Sequence, residues 1–246
     1  MPHVEFIGPP GAGKSTFHTA LTSVDGAFGG VDADGYRRLL LDVLDEPYRT
    51  FYRMLPSSLT TRIESIVLEH RCRERYFHQF VDRYPGVAET IAEILHQATR
   101  EPIGALSYYQ KICAEYELGR KMTASGELLC LDGGFGMLAV ALRFRGVSVS
   151  FLDEFFEIHP VPTILIWVNT PPDTGLNRVQ QRSKNILDKP WFSDVREAYR
   201  AHATYCEEVI QLLQRKSRLQ IYRIDGSTDP ERINYEIADV VTASID

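Results

Sequence analysis

The sequence predicts an α/β protein: a parallel sheet with helices over both faces, interrupted by a large all-helical insertion. Three observations lead there. Apolar strands alternate with helical segments, so the strands must run parallel with their crossovers laid over the sheet. The first strand runs straight into a glycine-rich loop and a helix. The stretch from about Asp34 to Ser125 has helical patterning but no convincing strand, with breaks near Pro47, Pro56, Tyr84-Pro85-Gly86 and Pro102.

The opening element reads Val4-Glu5-Phe6-Ile7-Gly8-Pro9-Pro10-Gly11-Ala12-Gly13-Lys14-Ser15-Thr16. It is a complete phosphate-binding loop in its required context, after an apolar strand and before the helix-compatible Ser15 to Leu21. Gly8, Gly11 and Gly13 permit the tight turn that aims successive N–H groups at one anion. Lys14 is expected to reach the β- and γ-phosphates of a nucleotide, and the Ser15 hydroxyl to complete the coordination of Mg²⁺. The helix starting at Lys14 points its positive dipole end at the same phosphates.

Further strands are expected at Leu128–Asp132, Thr163–Val168 and Leu219–Ile224, with a weak candidate around Gly30–Ala33. The Thr163 strand is continuously apolar, as a strand buried on both faces should be, whereas the Leu219 strand alternates like an edge. Val195, Tyr199, His202, Cys206, Val209 and Leu213 share one helical face. Asp229-Pro230-Glu231 reads as the start of a last helix running to Ile245. Asp132 leaves the carboxyl end of its strand, the edge where Gly8 also leaves the first, and ligands of such sheets gather there. A carboxylate at that position orders a water of Mg²⁺ or takes a proton from an attacking hydroxyl. After the Ile166 strand, Arg178 and Arg182 share a helical face and can clamp a triphosphate or neutralise charge on a transferred phosphoryl group.

The chain of 246 residues is long enough for a substantial core, and 44% hydrophobic and 24% charged residues are ordinary for a globular protein. A net charge of -6 argues against broad binding to nucleic acid or anionic membranes. Cys72, Cys113, Cys130 and Cys206 form no CxxC pair, so reduced, mostly buried thiols are expected. No signal peptide and no membrane-spanning run are read, which makes a cytoplasmic location the expectation.

The chain resembles the thymidylate-kinase and nucleoside-monophosphate-kinase group of P-loop kinases. The resemblance rests on Gly8 to Thr16, on Leu131-Asp132-Gly133, on Pro172-Asp173 with Leu176-Asn177-Arg178-Val179-Gln180-Gln181-Arg182, on Val195-Arg196-Glu197-Ala198-Tyr199, and on Ile224-Asp225-Gly226-Ser227. It implies one three-layer P-loop NTPase domain over residues 1–246 with strand order 2-3-1-4-5. The resemblance does not cover the helical insertion (about 34–125), which is expected to form the acceptor region. A lid, here about Ser183 to Ser193, would close over ATP, and the loop from Asp225 to Thr228, Gly226 included, would lie against the adenine. ATP and Mg²⁺ would be the cofactors and a small molecule, a nucleotide or nucleoside foremost, the phosphate acceptor; a second copy of the chain is the other candidate partner. Lys14, Asp132, Arg178 and Arg182 are the expected catalytic residues, and Pro10, Ala12 and Thr16 the remaining loop contacts. The Asp-Arg, Asp-Gly-Phe-Pro-Arg and Glu-Arg-Ser signatures of particular acceptors are all departed from, since this chain reads Asp132-Gly133-Gly134-Phe135-Gly136. A regulatory NTPase without a small acceptor is the alternative, although a guanine-reading Asn-Lys-x-Asp is missing. Weaker site candidates are Arg71, Arg73 and Arg75 in the insertion, Arg143 and Arg145 after Asp132, and Asp153, Glu154 and Glu157.

Overall fold

The computed structural model describes residues 1–23, 28–29, 46–54, 73–123, 127–181, 187, 189–216 and 219–229. Strands β1 (His3–Ile7), β2 (Phe28–Gly29), β3 (Leu128–Leu131), β4 (Ile164–Asn169) and β5 (Gln220–Asp225) form one sheet. The strand order is β2-β3-β1-β4-β5 and every pairing is parallel. The described helices are α1 (Lys14–Thr22), α2 (Glu46–Arg53), α3 (Arg73–Arg83), α4 (Val87–Gln97), α5 (Pro102–Met122), α6 (Phe135–Phe144), α7 (Val149–Ile158), α8 (Pro172–Gln180) and α9 (Val195–Lys216). Among them none is long and apolar enough to cross a membrane.

Burial along each strand follows its place in the sheet. All five residues of central β1 are buried, whereas β5, at the edge, is largely exposed or half-buried. Side chains alternate between faces. Val4, Phe6, Cys130, Ile164, Ile166 and Val168 pack with Phe17 and Leu21 of α1. Leu129, Leu131 and Leu165 face the opposite way, into an apolar cluster shared with α3, α4, α5, α6, α7 and α9. Helices α3, α4 and α5 of the insertion therefore pack on the same core as the sheet.

Local chemistry explains the breaks. Gly86 opens α4 with φ 96, and Pro102 takes the first turn of α5, where a missing N–H costs nothing. Pro47 likewise sits in the first turn of α2. The predicted face of α9 is present: Tyr199, His202, Cys206, Val209 and Leu213 are all buried. Deep in that shared core, the His159 ring stacks on Phe155 with centroids 4.0 Å apart. Its Nδ1 donates to Phe155 O at 2.9 Å, so its Nε2 accepts from the Tyr109 hydroxyl at 2.7 Å. Burial pushes the His159 titration down to about 4.

Several expectations fall on residues outside the described set: Pro56, Arg71, Cys72, Arg182, the strand at Gly30–Ala33, and the final helix beyond Asp229. The second strand that is described, Phe28–Gly29, lies just before the expected one. Cys113, Cys130 and Cys206 are buried free thiols.

Candidate functional site

The loop between β1 and α1 is held by its carbonyls. Thr170, at the end of β4, donates to Ala12 O at 3.0 Å, and Arg178 on α8 donates to Gly11 O at 3.3 Å. Lys14 Nζ reaches back across the loop to Gly8 O at 2.8 Å and Pro9 O at 3.0 Å. Because a trans peptide sets each C=O opposite the next N–H, drawing Ala12 O inward turns the Gly13 N–H outward. Gly11 adopts φ +78, and a Cβ there would stand 2.4 Å from Gly175 O. A side chain is excluded on both counts. Helix α1 then begins with no side-chain cap and no acidic residue in its first turn. Its positive end is left to an external anion.

Asp132 follows β3 directly, and parallel pairing of β3 with β1 sets it beside the loop. The Ser15 hydroxyl donates to Asp132 Oδ2 at 2.8 Å, joining residues 117 apart in the chain. Both are exposed, at the mouth of a cavity of about 300 Å³. Lys14, Ser15 and His18 line one side of it, and Tyr108, Lys111 and Glu115 of α5 the other. His18 Nε2 is hydrogen-bonded to Cys130 O at 3.2 Å. Sequence reasoning missed the α5 residues; their steps of three and four were visible, but nothing local says which face of an inserted helix meets the loop.

A second helix begins at the same edge and is treated in the opposite way. Glu5, wholly buried in β1, accepts from Phe135 N at 2.9 Å and Gly136 N at 2.7 Å, while His3 Nε2 lies 2.9 Å from its carboxylate. The chain thus caps α6 with its own anion. A Cβ on Gly134 would meet the Glu5 carboxyl at 2.2 Å. That contact explains the glycine at 134, while a Cβ on Gly133 would meet Met137 at an ordinary 3.5 Å.

Arg178 Nη1 also donates to Gly226 O at 3.1 Å, so this side chain ties the phosphate loop to the loop after β5. Gly226 N in turn donates to Asn169 O at 2.7 Å, and Asp225 Oδ1 accepts from Ser227 N and Oγ. Beneath the loop, burial and then the Lys14 charge push His202 down to about 3.

No protein-family model and no curated protein sequence matches the chain. Among solved structures it matches deoxyadenosine kinase from M. mycoides with bound dATP at TM-score 0.52 and 12% identity, covering 97% of this chain and 98% of that one. The fold is a P-loop kinase fold. The same deoxyadenosine kinase with products dCMP and a flexible dCDP gives 0.47 at 11% identity over 98% and 99%. Shikimate kinase from Acinetobacter baumannii in complex with shikimate gives 0.37 at 14% over 99% and 94%.

Within the P-loop kinase fold the weaker candidates sort themselves by position. Arg143 donates to Glu208 at 2.9 Å and to Val147 O at 2.7 Å, and Arg145 donates to Ala141 O at 3.0 Å. Neither lines the cavity. Asp153 lies 3.0 Å from Lys216 Nζ, and Glu157 pairs with the same lysine. Helices α7 and α9 both end there, before β4 and β5 begin, so this acidic group lies at the amino end of the sheet. It is remote from Asp132 and acts as an inter-helix tie. Arg73, by contrast, opens α3 close enough to Glu115 for its charge to pull on that carboxyl.

Proposed function

We propose that the chain is an ATP-dependent phosphotransferase that moves the γ-phosphoryl group of ATP·Mg²⁺ to a hydroxyl of a small molecule, a nucleoside or nucleotide foremost. The observation that carries this reading is the 2.8 Å contact of Ser15 with Asp132, made between the end of the phosphate loop and the end of β3 at the mouth of a cavity. A deoxynucleoside kinase of the same fold, bound to dATP, supports it at the level of fold.

Ser15 and Asp132 fit Mg²⁺. Both are hard oxygen donors, and Mg²⁺ needs only one or two protein oxygens when phosphates and water complete its octahedron. Bound there, the ion would draw charge from the β- and γ-phosphates. The chain's own residues do the rest. The outward amides and the α1 dipole hold the phosphates, and Lys14 swings from Gly8 and Pro9 to the β- and γ-oxygens. Arg178 holds the loop closed against the base-side turn. Asp132 orients the acceptor hydroxyl in line. A new O–P bond forms at the acceptor, the β–γ bridging O–P bond breaks, ADP departs, and the hydroxyl proton passes to Asp132 or to water.

The test is ADP release from the purified chain with ATP and Mg²⁺, measured over a panel of nucleosides, nucleotides and sugars. Release should rise with an acceptor and vanish in Lys14→Ala, whose melting temperature should match the wild type. Turnover in Lys14→Ala close to the wild-type rate would sink the proposal.

A further inference from the structure

At Gly11 a single layer of backbone separates the phosphate loop from α9. That layer is Gly175 of α8. Its carbonyl faces the loop, where a Cβ on Gly11 would stand 2.4 Å from Gly175 O. Its open side faces Tyr199: a Cβ on Gly175 would stand 2.2 Å from the Tyr199 hydroxyl oxygen, 2.9 Å from Cζ and 3.0 Å from Cε2. All of these lie inside van der Waals contact. Gly175 sits within α8 and does not have a positive φ, so its missing side chain answers a lack of room rather than a turn. Gly11, Gly175 and Tyr199 thus form a stack with no side chain in its upper two layers.

Tyr199 is 1% exposed and packs with Leu176, Val179, Leu187 and Ala198. Its hydroxyl has no hydrogen-bond partner among the described residues. A buried hydroxyl without a partner costs stability, and phenylalanine would fill the same apolar pocket without that cost. What the oxygen does make is the contact with Gly175. Burial and the neighbouring Cys206 lift its titration above the ordinary phenol range, while the Arg178 charge pulls it back. Arg178 lies one turn beyond Gly175 on α8 and carries the bonds to Gly11 O at 3.3 Å and Gly226 O at 3.1 Å. The first is at the outer edge of N–H···O distances, so a small settling of α8 would break it. Close-packed layers transmit such a displacement rather than absorb it.

We infer that Tyr199 is a positioning residue for the nucleotide: its hydroxyl props α8 at Gly175 and so fixes the reach of Arg178 to the phosphate loop and to the loop after β5. Tyr199 acts through α8 and touches neither nucleotide nor acceptor. The inference rests on the nucleotide-binding part of the reading above and is independent of the acceptor.

The experiment measures dissociation constants of the full chain for ATP·Mg²⁺ and ADP·Mg²⁺ by equilibrium titration, with thermal unfolding of the same samples before nucleotide is added. Tyr199→Phe removes an oxygen that has no hydrogen bond to lose, so its melting temperature should hold or rise. Both dissociation constants should nonetheless rise about threefold to tenfold, the weight of one weakened hydrogen bond. A tyrosine that only filled the core would leave the affinity of the folded chain alone. Gly175→Ala forces α8 and Tyr199 apart and should weaken binding by about tenfold. The double variant Gly175→Ala, Tyr199→Leu gives the new methyl room and should bind at least about threefold more tightly than Gly175→Ala, a rescue that independent sites do not show. If Gly175→Ala does not fold, Tyr199→Phe decides alone. Unchanged affinity in Tyr199→Phe, or additive losses in the double variant, overturns the inference and leaves the kinase reading intact. No nucleotide binding by the wild-type chain overturns both. Nucleotide binding without phosphoryl transfer to any acceptor removes the kinase reading only, and the dissociation constants still decide the role of Tyr199.

Discussion

Asp132 is the residue on which the proposed chemistry turns, and its environment sets what a substitution should do. Asparagine keeps its shape but loses the charge that receives the Ser15 hydroxyl at 2.8 Å. Turnover of Asp132→Asn should fall by about 10²–10⁴-fold, while nucleotide affinity stays within about threefold because the phosphate contacts are untouched. Initial rates and an equilibrium nucleotide titration measure the two. A full rate across a magnesium titration would reduce Asp132 to a turn residue. Gly134 makes a separate prediction about stability. A methyl group there would stand 2.2 Å from the Glu5 carboxyl, which is fixed by two amides and His3. Gly134→Ala should cost about 1–3 kcal/mol in denaturant unfolding; an unshifted midpoint would show that Glu5 can yield. Residue types in sequence pointed at Lys14, Ser15 and Asp132 because their spacing carries the chemistry. Arg143 and Arg145 illustrate the converse. A guanidinium's partner is set by tertiary packing, and here Glu208 and backbone carbonyls reach the two arginines first.

At the scale of elements, strands β1, β3, β4 and β5 were legible from apolar runs and alternation and the α9 face from its period, whereas the strand order came from the resemblance. The segment expected to form a lid, about Ser183 to Ser193, shows how packing can outweigh polarity. Its described residues 189–193 are docked. Lys189 Nζ donates to Glu101 at 2.7 Å, Arg100 lies over the rings of Trp191 and Phe192, and Phe192 packs on Phe144 with centroids 5.0 Å apart. Leu187 is buried with Val179 and Tyr199. The polar letters Ser183, Lys184 and Lys189 concealed this aromatic anchor. Hydrogen exchange should therefore show residues 191 to 193 protected to the same degree with and without a non-hydrolysable ATP analogue and Mg²⁺. Strong protection gained there only on binding would mean that the anchor itself opens. Helix α5 was legible as a helix but not as a wall of the site, since its orientation depends on contacts with α3, α4 and the sheet.

For the whole molecule, two buried histidines couple stability to pH. His159 titrates at about 4 and His202 at about 3 in the folded chain, both well below the unperturbed imidazole value of about 6.5. The unfolded chain therefore binds protons below pH 6.5 that the native chain refuses, so stability is complete above that pH and is lost as pH falls toward 4 and then 3. Each lost unit is worth about 1.4 kcal/mol, and calorimetric unfolding should show the melting temperature dropping steeply between pH 6 and pH 4. A flat profile over that range would mean that both rings are protonated in the native fold. His202 was legible on the apolar face of α9, whereas His159 did not announce itself in sequence, because its burial is a property of the assembled core. The same holds for Glu5, a lone acid in an apolar strand, whose position has a mechanical consequence. Ser15 and Asp132 lie far apart along the chain, yet each is a short, stiff path from Glu5, one through β1 and the loop, the other back from Phe135. The spacing of Ser15 and Asp132 is thus gauged from below by one hidden carboxylate, and under the proposed function disturbing that gauge would misalign phosphoryl transfer while the nucleotide still found its seat.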